Sequence, residues 1–236
     1  MMADNLIIKI SFIFLSSLIF SVLVNSLFLK FSKNLGMRNI DHQPSRWSSI
    51  SKPSFGGISF FIVFLLVLVQ YPLLFSTYGI SFNLQLIGVI AACGISFLVG
   101  LADDAYNTNP TLKSIAQAVC AIILISTGTY IKLFNIEWLN YSISFMWIVG
   151  LMNSINMLDN MDGISTIASI FALICMLTVL FYQEQISQVY FALMIGMCGA
   201  LIAFLFFNWH PSKMFMGDTG SQFLGLSLAA FSILFL

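Results

Sequence analysis

The chain has 236 residues, of which 59% are hydrophobic and 8% are charged, and its mean hydropathy is +0.98. The composition excludes a soluble enzyme or binding domain, because this small number of polar side chains cannot cover the surface of a water-soluble globule. The formal net charge is zero and no basic run is present, which argues against a nucleic-acid partner. We therefore predict an all-α, polytopic membrane protein with one integral membrane domain over residues 1–236.

Apolar segments of roughly 20 residues, bounded by charged residues, Pro, Gly or Asn, predict the transmembrane helices. They are residues 6–29, 56–75, 84–101, 112–131, 142–157, 163–182, 187–207 and a last segment from residue 222. Eight helices result, and the fifth is predicted to be short. Because the last segment ends at Leu236, where a terminal carboxylate would lie inside or barely across the bilayer, we expect that this helix is truncated.

The basic residues predict the orientation of these helices. The stretch between the first and second segments contains Lys30, Lys33, Arg38, Arg46 and Lys52, whereas the next loop contains none. The positive-inside rule then predicts that residues 30–55 are cytoplasmic and that the N-terminus is external. By alternation, the polar breaks near residues 103–111, 158–162 and 208–221 also lie on the cytoplasmic face of the inner membrane.

These three polar breaks contain five of the nine acidic residues of the chain. The five are Asp103, Asp104, Asp159, Asp162 and Asp218. If each apolar segment crosses the bilayer once, all five carboxylates emerge on the same side. A membrane enzyme could build a metal-dependent site from such a set.

The first two breaks differ in their pattern. Asp103 and Asp104 follow the third segment directly, at a helix C-terminus whose dipole disfavours carboxylates unless a cation or proton compensates; a solvated helix end is the alternative. In the second break, polar residues recur every three positions, and a helix would place them on one face. They are Asn153, Asn156, Asp159 and Asp162. Helix capping would explain one or two of them, but not four.

The third break, FNWHPSKMFMGDTGSQFLG, contains Asn208, His210, Lys213 and Phe215 before the glycines that flank Asp218. Those glycines would let the backbone approach a phosphate or an ion, and the N-terminus of the following helix favours anions. Each side chain also has a simpler interpretation. Lys213 could be a positive-inside anchor, and His210 could be an ordinary surface residue.

The chemistry of these side chains favours a hard divalent cation. Two carboxylates about 4 Å apart repel by on the order of 4 kcal/mol at an effective dielectric constant near 20, and a cation reverses that cost. Asp and Asn oxygens suit Mg²⁺ or Mn²⁺ better than zinc, and all four cysteines lie within apolar segments. Because Mg²⁺ completes its shell with water and substrate phosphates, we expect a phosphate ester or diphosphate as substrate.

The runs LADDAYNTNPTLKSIAQ, NMLDNMDGIS and FNWHPSKMFMGDTGSQFLG, in this order, resemble the polyprenyl-phosphate N-acetylhexosamine-1-phosphate transferases of glycosyltransferase family 4. The similarity extends from about Gly36 to the end of the chain. The NWHPSK motif resembles the undecaprenyl-phosphate GlcNAc-1-phosphate transferase branch more closely than the muramoyl-pentapeptide branch. The resemblance also implies further spans and a His-rich cytoplasmic loop after the part seen here.

The resemblance implies transfer of a sugar 1-phosphate, with GlcNAc-1-phosphate as the first expectation, from a UDP-sugar to undecaprenyl phosphate, with release of UMP. Asn156 and Asp218 would hold Mg²⁺, while Asp103, Asp104 and Asp159 would be catalytic. The expected substrate-binding residues are Asp162, Asn208, His210, Lys213, Phe215 and Lys52.

Two other functions stay open at the level of the sequence. Carboxylates at the membrane edge also serve ion-coupled transporters, although transport sites lie near the midplane, whereas these residues cluster at one surface. An inactive family member that acts as a non-catalytic membrane subunit is the other alternative. The sugar, the glycan pathway and the oligomeric state are not determined by the motifs.

Overall fold

The computed structural model describes residues 2–31, 53–75, 83–185 and 188–235. Within these ranges the chain forms α-helices and no β-strand, which confirms the all-α prediction. The helices are α1 (Met2–Phe31), α2 (Gly56–Leu74), α3 (Leu84–Tyr106), α4 (Pro110–Ser126), α5 (Glu137–Leu158), α6 (Ile164–Tyr182), α7 (Val189–Asn208) and α8 (Gly217–Phe235). Each predicted segment therefore corresponds to one helix.

Among the described residues, six helices are long and apolar enough to cross a membrane: α1, α2, α3, α5, α6 and α7. Helix α4 is shorter, with 17 residues, and α8 is rich in Gly and Ser. Several of these helices expose large apolar side chains along one side, as expected for contact with lipid. The chain is a multi-pass membrane protein.

Four predicted boundaries were wrong by five residues. Helix α3 ends at Tyr106, not at residue 101, so Asp103 and Asp104 lie in its last turn. Helix α4 ends at Ser126, not at residue 131, because the Thr127 hydroxyl donates to Ile123 O and the backbone then turns at Gly128 with φ +92°. Helix α5 is not short: it begins at Glu137, whose carboxylate favours a helix N-terminus, and has 22 residues. Helix α8 begins at Gly217, five residues earlier than predicted, because the carboxyl groups of Asp159 and Asp104 accept its first N–H groups.

Helix α8 lies in the centre of the bundle and packs against α2, α3, α5 and α6. Small residues permit this position, since side chains at the crossing points would separate the helices. A Cβ atom on Gly57 of α2 would lie 2.1 Å from the backbone nitrogen of Gly220. The backbones of α2 and α8 are therefore in direct contact near the start of α8.

A second set of helices, α1, α2 and α7, packs together at the side of the bundle. Neutral polar side chains join α1 to α2 there. Asn25 Nδ2 donates to Ser21 Oγ and to Ser59 Oγ, each at 3.1 Å, and all three side chains are fully buried. We call these three residues the α1–α2 seam.

Candidate active site

The site begins at the N-terminus of α8, where two carboxylates accept three consecutive backbone N–H groups. Gly217 N donates to Asp159 Oδ2 at 3.1 Å. Asp218 N and Thr219 N donate to the two oxygens of Asp104, at 3.1 and 2.8 Å. From the sequence we predicted an anion such as a phosphate at this N-terminus. In the structure the protein's own carboxylates fill that role, which fixes α8 relative to α3 and α5.

The chain in front of α8 is held by the segment that leads into α2. Phe215 N donates to Pro53 O at 3.0 Å, and Gly57 N donates to Met216 O at 2.9 Å. Gly217 has φ +76°, and a Cβ atom there would lie 2.6 Å from Ser54 O. Only glycine fits this turn, because both the dihedral angle and the close approach exclude a side chain.

Four side chains from four helices meet beside this turn, and we call them the charged cluster: Asp103, Lys113, Asn156 and Asp218. Lys113 Nζ lies 2.6 Å from Asp218 Oδ1, 3.3 Å from Asp103 Oδ2 and 3.5 Å from Asn156 Oδ1. Helices α3, α4, α5 and α8 each contribute one member. Three oxygens thus converge on one positive charge.

Hydroxyl groups orient the members of the charged cluster. Thr108 donates to Asp103 Oδ1 from its backbone nitrogen at 2.9 Å and from its hydroxyl at 2.5 Å. Asn156 Nδ2 donates to Asp218 Oδ1 and, at 2.8 Å, to Ser221 Oγ. The carboxylates and the amide are therefore fixed before any ligand binds.

The sequence motifs did not identify Lys113, Thr108 and Ser221 as members of this site. A signal for Lys113 was available, since it is the only Lys or Arg between residues 53 and 131 and follows Asp103 by ten positions. The two hydroxyl residues offered no such signal, because Ser and Thr are common in every polar break.

The donor set of the charged cluster fits a hard divalent cation. Asp103 and Asp218 supply carboxylate oxygens, and Asn156 supplies an amide oxygen. Within the described residues no group of three or more His, Cys, Asp or Glu side chains is close enough to hold a metal ion. Mg²⁺ needs no such group, because it takes one or two carboxylates and completes its shell with water and phosphate oxygens.

Asp159 lies beyond the end of α5 as its C-cap residue, and Asp162 lies in the following turn. The expectation that four polar residues share one helical face was therefore wrong, since only Asn153 and Asn156 are on the helix. Burial raises the pKa of Asp159 to about 8, although hydrogen bonds from Gly217, Met216 and Ser165 oppose this shift. Burial thus opposes the charged form of Asp159, and these hydrogen bonds favour it.

Asp162 belongs to a second polar group with His210 and Ser212. Ser212 donates to Asp162 through its backbone nitrogen at 3.1 Å and its hydroxyl at 2.6 Å, and His210 Nδ1 lies 3.0 Å from Asp162 Oδ2. The His210 side chain is 82% exposed, and Lys213 is exposed beside it. This group joins the turn between α5 and α6 to the segment after α7.

Asn208 is fully buried, with its amide bonded only to protein in the described part of the chain. Its Oδ1 accepts from Gly163 N at 3.0 Å and Thr166 Oγ1 at 2.9 Å, while its Nδ2 donates to Met214 O at 3.0 Å. Asn208 therefore holds the start of α6, and its substrate-binding role stays a prediction. Lys52, another predicted substrate-binding residue, lies outside the described residues.

A family model described as "Glycosyl transferase family 4" matches residues 86–236, and this range includes the whole charged cluster. The chain belongs to glycosyl transferase family 4. The Bacillus subtilis (strain 168) protein named "Probable undecaprenyl-phosphate N-acetylglucosaminyl 1-phosphate transferase" is 29% identical to it over 245 residues, covering 99% of this chain and 65% of that protein.

Two proteins named "Phospho-N-acetylmuramoyl-pentapeptide-transferase" are also similar to this family 4 chain. The one from Prochlorococcus marinus subsp. pastoris is 32% identical, covering 98% of this chain and 69% of that protein. The one from Streptococcus uberis is 30% identical, covering 93% and 71%. The chain spans about two thirds of the length of these curated relatives.

Proposed function

We propose that this family 4 chain transfers a sugar 1-phosphate from a UDP-sugar to undecaprenyl phosphate and releases UMP. The observation that carries the proposal is the charged cluster, in which oxygens of Asp103, Asn156 and Asp218 converge on Lys113 Nζ. The names of the relatives support a sugar-phosphate donor and a polyprenyl-phosphate acceptor. GlcNAc-1-phosphate is the first candidate for the transferred group, in the first membrane step of a cell-envelope polysaccharide.

The reaction in this proposal is a phosphoryl transfer without redox change. An oxygen of the lipid phosphate forms a bond to the phosphorus that carries the sugar. The bond from that phosphorus to the bridging oxygen of the diphosphate breaks, and its electron pair leaves with UMP. Such reactions depend mainly on positioning and on neutralisation of negative charge.

The charged cluster would provide both the positioning and the neutralisation of negative charge. Asp103, Asn156 and Asp218 would hold Mg²⁺, or Mn²⁺ in its place, and the bound cation would supply positive charge to the diphosphate. Lys113 would leave its present carboxylate partners when the cation binds, and its ammonium group would then neutralise a phosphate oxygen. Asp103 is also suited to take the proton of a lipid phosphate that arrives as the monoanion.

The other predicted catalytic residues have positioning roles in this proposal. Asp104 and Asp159 bind the first N–H groups of α8 and so determine where Asp218 lies. On the nucleotide side we place the exposed residues His210 and Lys213, together with Phe215. Asp162 would orient His210, and Lys52 would complete this side of the site.

We also propose the membrane orientation that the basic residues predict. The site would face the cytoplasm, where UDP-sugars are soluble, and the N-terminus would be external. The helix ends that meet at the site fit a single surface: α3, α5 and α7 end there, while α2, α4, α6 and α8 begin there. The lipid acceptor would then reach the site from the bilayer of the inner membrane.

The experiment is a UMP-release assay on the purified protein in detergent, with undecaprenyl phosphate and a panel of UDP-sugars that starts with UDP-GlcNAc. Each reaction is run with Mg²⁺, with Mn²⁺ and with EDTA. We expect UMP only when lipid, donor and divalent cation are all present. Folded protein that releases no UMP from any donor would contradict the proposal and favour a non-catalytic membrane subunit.

A further inference from the structure

Directly beneath the charged cluster lies a second polar set, the amide layer, formed by Gln117, Asn153 and Gln222. Gln117 and Asn153 form a reciprocal pair: each side-chain nitrogen donates to the other's oxygen at 3.1 Å. Gln117 Nε2 also donates to Gln222 Oε1 at 3.0 Å. Three amides on α4, α5 and α8 thus share one connected network.

Each member of the amide layer lies one helical turn from a member of the charged cluster. Gln117 follows Lys113 by four residues on α4, and Gln222 follows Asp218 by four residues on α8. Asn153 precedes Asn156 by three on α5. At 1.5 Å per residue, the layer is about 5 Å deeper in the bundle than the charges. The amide layer and the charged cluster therefore occupy successive turns of α4, α5 and α8.

The charged cluster and the amide layer both connect α4 to α8, although each of these helices packs mainly against others. Helix α4 packs against α3 and α5, and α8 packs against the same two helices. The long side chains of Lys113 and Gln117 extend from α4 to Asp218 and Gln222 of α8. The distance between Lys113 and Asp218 therefore depends on how the amide layer holds α4 relative to α8.

Packing alone does not explain amides at these positions. Gln117 and Gln222 are each 2% exposed, and apolar side chains of the same length would fill the space without a desolvation cost. Within the described residues, Gln222 Nε2 is buried without a hydrogen-bond partner. This donor carries a desolvation cost that a methionine of similar length would avoid.

We propose that the amide layer positions the charged cluster, with Gln222 setting the place of Asp218 relative to Lys113. This inference rests on the proposed function for the reaction in which the cluster is used. Gln117, Asn153 and Gln222 are positioning residues in it, since they bond to one another one helical turn from the charged cluster and not to the reacting groups.

The test variant is Gln222→Met, which keeps the side-chain length and leaves Gln117 Nε2 its bond to Asn153. The matched control is Gln70→Met on α2, where Gln70 pairs with Ser16 of α1 at 3.2 Å. Gln70 lies 14 residues from Gly56, so it is about 20 Å along the helix from the site end of α2.

In the UMP-release assay we expect Gln222→Met to lower kcat by about ten- to a hundredfold, because small misplacements of reacting groups have effects of this size. The KM for the UDP-sugar should stay within about twofold of wild type, since no nucleotide contact is removed. The melting temperature should be unchanged or higher. Gln70→Met should leave kcat unchanged. A lower melting temperature with unchanged kcat per folded molecule would overturn the proposal.

A thermodynamic cycle tests the same inference without any turnover. Melting temperatures are measured for Lys113→Met in the wild-type, Gln222→Met and Gln70→Met backgrounds. We expect a smaller effect of Lys113→Met in the Gln222→Met background, because the lysine contact with Asp218 is already weakened there. Equal effects in all three backgrounds would refute the positioning role. If wild type releases no UMP, the proposed function fails, yet this cycle still decides the role of the amide layer.

Discussion

The charged cluster and the α1–α2 seam both place polar side chains between helices of an apolar bundle, but they differ in charge and in access. The seam consists of Ser21, Asn25 and Ser59, which are neutral and fully buried. In the charged cluster, Lys113 and Asp218 keep 19% and 26% of their side chains accessible. Neutral groups that bond to one another hold helices together. Accessible charges held close together are suited to bind a charged ligand.

The two regions also differ in the other bonding partners of their polar groups. In the seam, the hydroxyls continue to backbone oxygens of Ala200 and Gly56. In the charged cluster, carboxylates of α3 and α8 depend on a single lysine. Loss of one seam side chain leaves its partners bonded, whereas loss of Lys113 leaves two carboxylates without their cation. This contrast leads to four predictions, from the largest expected effect to the smallest.

The largest effect should come from Lys113→Met. Asp103 and Asp218 would then repel each other at the edge of the bundle, and we expect a loss of about 1–3 kcal/mol of stability, since the pair is only partly buried. UMP release per folded molecule should fall by about a hundredfold or more, because a charge near the phosphates is lost. Melting temperature and UMP release check the two parts separately.

Lys132→Met is the matched control for this prediction. Lys132 lies between α4 and α5, with its Nζ 5.3 Å from the ring centre of Tyr130. Its removal should leave UMP release unchanged. Equal losses in both variants would mean that any lysine matters only through net charge.

Gly57→Ala should have the next largest effect. The added Cβ would meet the Gly220 backbone nitrogen at 2.1 Å, so α2 must move away from the start of α8. Overpacking of this kind costs about 1–3 kcal/mol. Gly94→Ala on α3 is the control, since a Cβ there meets no atom within 4 Å. Thermal unfolding in detergent compares the two; equal stability would show that the α2–α8 contact is not tight.

The pH dependence of stability should also change, through Asp159. Its pKa is about 8 in the folded chain, whereas an unfolded Asp titrates near 4. Between these values the folded state binds more protons, so this group lowers stability as pH rises from about 4 to 8. Asp159→Asn lacks this contribution. In EDTA, the melting temperature should therefore fall more steeply from pH 5 to pH 8 for wild type than for Asp159→Asn. An equal fall in both proteins would contradict the raised pKa.

The smallest effect is expected from Asn25→Leu in the α1–α2 seam. Ser21 and Ser59 keep their bonds to backbone oxygens, and the unpartnered Asn25 Oδ1 is removed. We expect a change in stability within about 1 kcal/mol, because a lost hydrogen bond is offset by a removed desolvation cost. UMP release per folded molecule should equal that of wild type. A large loss of activity would show that the seam and the charged cluster are coupled.

The sequence predicted the number and order of the helices because apolar length and flanking polar residues determine membrane insertion. Boundaries were less predictable. Thr127 and Gly128 end α4 through local hydrogen bonding and a positive φ angle, which hydropathy does not report. The start of α8 at Gly217 depends on Asp104 and Asp159, which are more than fifty residues away in the chain.

The candidate site was predictable as a set of residue types but not as a set of contacts. Motifs identified Asp103, Asn156 and Asp218, which the structure brings together. They did not reveal that Asp104 binds the backbone of α8 while the adjacent Asp103 faces Lys113. Adjacent residues on a helix point about 100° apart, so identical side chains in a DD pair acquire different roles.

The most direct test of the charged cluster as the reaction site is UMP release by Asp218→Asn and by Asn25→Leu, measured beside wild type and normalised to folded protein. The Asp218 variant keeps the shape of the side chain and removes one charge. We predict at least a hundredfold loss for Asp218→Asn, on the order expected for a group that stabilises charge in the transition state, and wild-type release for Asn25→Leu. Near-normal release by folded Asp218→Asn would contradict it.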